Sequence, residues 1–115
     1  MTISKHHTNP SMSQLVIHGD TVYLAGQVAN DFDADITVQT EQALEKIDEL
    51  LAEAETNKSQ ILSAQVWLAN MGYFDQMNHA WEAWMPPGYA PARACIEARL
   101  AKPNLLVEIG IIAAR

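Results

Sequence analysis

Arg93 and Cys95 stand two residues apart in Pro91-Ala92-Arg93-Ala94-Cys95-Ile96-Glu97, and they are the side chains best suited to chemistry in this sequence. A planar guanidinium at the start of a strand can clamp a carboxylate through two parallel hydrogen bonds. The competing reading is an ion pair with Glu97, or with Glu108 of a neighbouring copy, and spacing alone favours that structural role. Cys95 would be a nucleophile only with a base or a cation to lower its pKa. Arg93 could be the cation, but no histidine is placed in sequence to be the base. A small buried apolar residue is the simpler role for Cys95. His6, His7, His18 and His79 show no metal-ligand spacing with Cys95 or with carboxylates, and His6-His7 reads as a flexible polar tail. There is no glycine-rich phosphate loop and no serine nucleophile elbow. Neither a metal nor a nucleotide, nor any other cofactor, is expected.

These residues need a strand, and the pattern around them supplies one. From Ala92 to Leu100, Arg93, Cys95, Glu97 and Arg99 alternate with Ala94, Ile96, Ala98 and Leu100. Lys102-Pro103-Asn104 reads as a turn, and Leu105 to Ala113 as a strongly apolar last strand. With Pro103 near the apex of a hairpin, Cys95 faces Gly110 and Glu97 faces Glu108. Two opposed carboxylates need a shared cation, for which Arg99 or a neighbour's Arg93 is available, or the register is shifted.

Upstream, Leu15-Val16-Ile17 and Val22-Tyr23-Leu24 flank the turn residues His18-Gly19-Asp20 and read as a hairpin. Gly26 marks a bulge or a close backbone approach. Residues 1–13 are polar and read as a loosely held segment. Thr37 to Glu55 reads as a helix, with Ala43, Leu44, Ile47, Leu50, Leu51 and Ala54 on its apolar face and Glu41, Glu45, Glu49 and Glu53 on a solvated one. Ile61 to Ala69 is a strand, with Leu62, Ala64, Val66 and Leu68 on one side and Gln65 and Trp67 on the other. Asn70 can cap a second helix, Met71 to Met85, whose Phe74, Met77, Trp81 and Trp84 form a core stripe rather than a cofactor site. Pro86-Pro87-Gly88 ends it.

The expected order is ββαβαββ, an α+β fold with two helices on one face of a mixed sheet. The other face is read as carrying Trp67, Cys95, Gly110 and Ile112 among Arg93, Glu97 and Glu108. A face this apolar is seldom bare. The expectation is a homo-oligomer with sheets packed face to face and polar pockets at the seams.

Composition narrows the class. A chain of 115 residues, 49% apolar and 18% charged, is one domain, residues 1–115, of ordinary globular balance. A net charge of −7 with no Lys/Arg cluster disfavours nucleic acid as a partner. No apolar run is long enough for a membrane span. One cysteine implies no disulfide framework, the first residues lack the apolar core of a secretory signal, and a cytoplasmic protein is expected.

Four blocks, in order, resemble the RidA/YjgF family. They are Leu24-Ala25-Gly26-Gln27; Val66-Trp67-Leu68-Ala69-Asn70-Met71 with Phe74 and Asn78; Pro91 to Leu100; and Val107-Glu108-Ile109. The likeness runs from about residue 10 to the last residue. It implies a chorismate-mutase-like fold and a homotrimer with clefts between subunits. It also implies hydrolysis of enamines and imines, such as 2-aminoacrylate and its imine, to a 2-keto acid and ammonia. By the same resemblance Arg93 grips the substrate carboxylate and Cys95 lines the cleft, while Gly26 and Asn78 serve backbone approach and structure. Some positions depart from the pattern. Met12, before Ser13-Gln14, replaces a tyrosine, and Ala25 replaces a serine. The glutamate that positions the attacking water falls at Gly110, with Glu108 two residues away on the same sheet face. This pattern resembles a divergent subgroup, in which the water is held by backbone carbonyls near Cys95 or by a carboxylate such as Glu108. Ribonuclease activity, ascribed to some relatives, sits poorly with the acidic balance.

Overall fold

The computed structural model describes residues 1–115. Its strands are β1 (Ile3–Thr8), β2 (Ser13–His18), β3 (Thr21–Gln27), β4 (Ile61–Leu68), β5 (Ala92–Glu97) and β6 (Val107–Ala114). Helix α1 (Ile36–Glu53) lies between β3 and β4, and α2 (Phe74–Trp84) between β4 and β5. The strands form one sheet in the order β1-β2-β3-β6-β4-β5. Only β4 and β5 pair in parallel, joined by the crossover through α2. No helix is long and apolar enough to cross a membrane.

Local signals account for most elements. The β2–β3 hairpin turns through Gly19-Asp20, with His18 opposite Thr21 and Gly19 at φ +62°, a conformation glycine takes without steric cost. Asp35 caps α1, its Oδ1 accepting from Val38 N at 2.9 Å. The apolar faces of α1 and α2 meet one face of the sheet, and Leu44, Ile47, Leu51, Met77, Val66 and Ile109 are almost wholly buried between them. Each such side chain contributes roughly 1.5–3 kcal/mol through burial. Buried Gln39 ties the layers together. Its Nε2 donates to Ala34 O and Asn104 O, and its Oε1 accepts from Leu106 N, so α1 fixes the loop that enters it and the connection into β6.

The structure departs from the sequence reading in several places. Residues 3–8 are a strand, making the order βββαβαββ. His6 and His7 are held there by Glu53 at the end of α1, at 3.5 and 2.8 Å, and are not a free tail. The last two strands do not form a hairpin. β6 enters between β3 and β4, so Gly110 faces Gln65, not Cys95, and Glu108 faces Trp67, not Glu97. β5 ends at Glu97, short of Leu100. Leu62 is exposed, because the register shifts between Ile61 and Ser63.

A further departure concerns the faces of β5. The alternation is as read, but its sense is reversed. Arg93 and Cys95 lie opposite Ala64 and Val66, both buried beneath the helices, while Ala94 and Ile96 are exposed. Arg93 and Cys95 therefore belong to the helix-covered face, and Trp67, Glu108, Gly110 and Ile112 to the open one. The physical cause is the edge position of β5. There the aromatic rings of α2 accept a cation's alkyl stem and guanidinium more readily than a methyl-sized side chain would fill the space.

Candidate functional site

Arg93 reaches α2. Its Cζ lies 5.2 Å from the ring centroid of Trp81 and 5.8 Å from that of Phe74. Its Nη1 is buried and has no hydrogen-bond partner. The carboxylate contacts to basic side chains are those of Glu53 with His6 and His7, so no carboxylate neutralises Arg93. Glu97, the acid nearest in sequence, is engaged elsewhere, its Oε1 accepting from Met71 N at 3.1 Å. A buried donor left unpaired is costly, and such groups are rare in folded proteins.

Cys95 is half-buried on the same face and packs against the core. Burial pushes its thiol above the ordinary range, and the Arg93 charge only partly opposes this. It is a neutral thiol at neutral pH, not an activated nucleophile. Asn78 lies on the α2 stripe between Phe74 and Trp81, and its Nδ2 donates to Glu82 Oε1 at 3.1 Å.

A second group of the expected residues gathers on the open face. Leu24 opposes Ile111 and Gln27 opposes Ile109, so Ala25 and Gly26 together occupy the place opposite Gly110. This is the bulge expected at Gly26. A Cβ on Gly26 would collide with the carboxylate of Glu108, so the glycine makes room for that side chain. Gly110 in turn makes room for Trp67, whose ring would lie 3.2 Å from a Cβ there. Beside them a shallow cavity of about 300 Å³ is lined by Tyr23, Ser63, Gln65, Trp67, Gly110 and Ile112. Met12 precedes β2, exposed, in a turn closed by its N–H on Asn9 Oδ1 at 2.9 Å.

The expected site residues thus fall into two clusters. Arg93 and Cys95, with Asn78 on the neighbouring stripe, belong to the helix-covered edge. Gly26, Glu108 and Gly110 share the open face, and Met12 joins neither. One chain alone does not bring Arg93 and Glu108 onto the same side of its sheet. The sequence reading missed the aromatic seat of Arg93, although the spacing of Phe74 and Trp81 at i and i+7 was its signal. The same reading missed Gln39, whose burial rests on contacts distant in sequence. No group of three or more His, Cys, Asp or Glu side chains is arranged to hold a metal ion.

Comparison with known proteins bears on what such a chain is. The family described as Endoribonuclease L-PSP matches residues 3–115. A RutC family protein from Haemophilus ducreyi is 51% identical over 102 residues, covering 89% of this chain and 87% of its own. The RutC family protein YoaB of Escherichia coli is 42% identical over 114 residues, covering 99% of both. A crystal structure of a YjgF family member from Neisseria meningitidis superposes with a TM-score of 0.96 at 39% identity, over 100% of this chain and 96% of that one. Sequence and fold agree over essentially the whole length, and the chain belongs to the RutC/YjgF family.

Proposed function

We propose that the protein hydrolyses small reactive 2-imino and 2-enamino acids to 2-keto acids and ammonia, at clefts between the subunits of a homotrimer. The observation that carries this reading is the guanidinium of Arg93, charged, half-buried and paired with no acid of its own chain. Such a group is suited to a carboxylate guest. The uncovered face, with Tyr23, Trp67 and Ile112 on it, supports assembly. Each copy would offer Arg93 and Cys95 to one cleft and Gly26, Glu108 and Gly110 to the next, with Met12 and Asn78 at the margins.

In that cleft Arg93 anchors the substrate carboxylate, and an enamine first becomes the imine by taking a proton from solvent at C3 and losing one from its nitrogen. Glu108 orients a water and accepts its proton as the oxygen bonds to the imine carbon. The C=N bond becomes a single bond to an amine nitrogen that takes a proton from solvent. The new hydroxyl then gives its proton to solvent while the nitrogen takes the proton held by Glu108, so that the C–N bond breaks, ammonia leaves and the carbonyl forms. No metal or organic cofactor takes part in this scheme. A cytoplasmic setting fits a chain with a single cysteine.

The test uses an imine generated in situ by an amino-acid oxidase, with ammonia or keto-acid release followed. The protein should accelerate release, and Arg93→Ala should abolish the gain. An unchanged rate in the mutant refutes the assignment. A second reading, a non-catalytic binder of small carboxylates, is favoured by Gly110 standing where the resemblance puts a water-positioning glutamate. Saturable, Arg93-dependent binding of 2-keto acids without any turnover would select it. RNA cleavage, suggested by the family description, is disfavoured by a net charge of −7.

A further inference from the structure

A buried cation ordinarily acquires a carboxylate partner, because removing its charge from water is costly. Arg93, half-buried with its Nη1 wholly so, has none, and its guanidinium lies over two rings on α2. Trp81, 4% exposed, is the nearer. Its neighbour Trp84 stands 5.4 Å away between ring centroids and donates Nε1 to Asp48 of α1 at 2.9 Å, so both helices hold the tryptophan pair. Asn78, between Phe74 and Trp81 on the stripe, is bonded to Glu82 rather than to Arg93.

We propose that Trp81 is the positioning residue of the Arg93 site. Its ring, with that of Phe74, holds the guanidinium in place and supplies a negative counter-potential without offering a strong hydrogen-bond acceptor. A carboxylate in that role would stabilise the cation too, but it would occupy the donors that a guest carboxylate needs. A π-face attracts the charge and leaves the N–H groups free. This inference rests on the reading of Arg93 as a carboxylate anchor.

Calorimetric titration of the intact assembly with pyruvate tests it, with pyruvamide as the uncharged control. Trp81→Leu should weaken pyruvate about 3- to 10-fold, and Trp81→Phe, which retains a ring, by less than about 3-fold. Pyruvamide binding should be the same in all variants. A folded Trp81→Leu that binds pyruvate as the wild type does overturns the proposal. So does an equal loss for pyruvamide, which would mark a general change of cleft shape. If Trp81→Leu does not fold, Trp81→Met, which removes the ring but keeps an unbranched apolar side chain, carries the test with the same expected loss. Arg93→Gln separates the two layers of the reading. If it loses pyruvate while the ring variants do not, only the role of Trp81 falls. If it binds pyruvate normally, the anchor falls and this proposal with it.

Discussion

Arg93 and Glu108 are opposite charges on the two faces of one sheet, and each is accommodated differently. The cation lies at the edge strand β5, against aromatic rings, with one nitrogen buried and unpaired. The carboxylate lies on β6, in the middle of the sheet, over a bulge whose glycine clears space for it. Neither has an ion-pair partner within the chain. The cation is positioned by packing from above, the acid by a gap in the backbone next to it. A reaction that needs both therefore needs two copies of the protein, each presenting a different face.

Mixing variants gives the strongest test of that division. Arg93→Ala and Glu108→Gln should each lower turnover by roughly 10²–10³-fold or more, the scale of losing a group that stabilises the transition state. Pyruvate binding should survive only in Glu108→Gln. Refolding the two inactive variants together should restore about a quarter of wild-type activity, because random assembly places both intact residues in that share of the clefts. No recovery would mean that each chain forms its site alone.

Gly26 probes the open face more gently. In Gly26→Ala the new methyl displaces Glu108, a flexible side chain that can swing aside. Turnover should fall about 10–100-fold, short of the full loss of the carboxylate, with a shift in Tm of only a few degrees. Combined with Glu108→Gln it should add little, since both changes remove the same function. Additive effects would show that the glycine serves only the backbone.

The smallest effect belongs to Cys95. The folded state binds its thiol proton more tightly than the unfolded chain does, so its contribution to stability is complete below the ordinary thiol pKa. That contribution is lost as pH rises through the raised value. A slight fall in Tm above about pH 8.5 should therefore be absent in Cys95→Ser. Iodoacetamide should modify Cys95 slowly at neutral pH, and rapid alkylation would contradict the neutral thiol described for this face.

Where a signal was local, the sequence was enough. Gly19-Asp20 specified a hairpin, the apolar spacing from Ala43 to Leu51 specified α1, and Gly26 proved to lie in a bulge, where the Glu108 side chain packs against it. Where pairing was distant, it was not. Nothing near Val107 says that β6 must lie between β3 and β4, and a Pro-Asn turn suggested a hairpin instead. β1 is an edge strand with no residue fully buried, so the residue types of Ile3–Thr8 show no apolar–polar alternation to read. The period of two in β5 was visible, but not its sense, because Ala94 and Ile96 are the more apolar set and yet they face outward. Of the candidate site, the residue types were legible, whereas their division between two faces was a matter of tertiary structure.

The place of β6 has a consequence for how the molecule comes to be folded. Synthesis delivers residues 107–114 after every other strand, yet they join β1-β2-β3 to β4-β5. Until they arrive, β3 and β4 lack the strand that pairs with both of them in the native sheet. Folding should wait for this closing of distant contacts and be slow for a domain of this size.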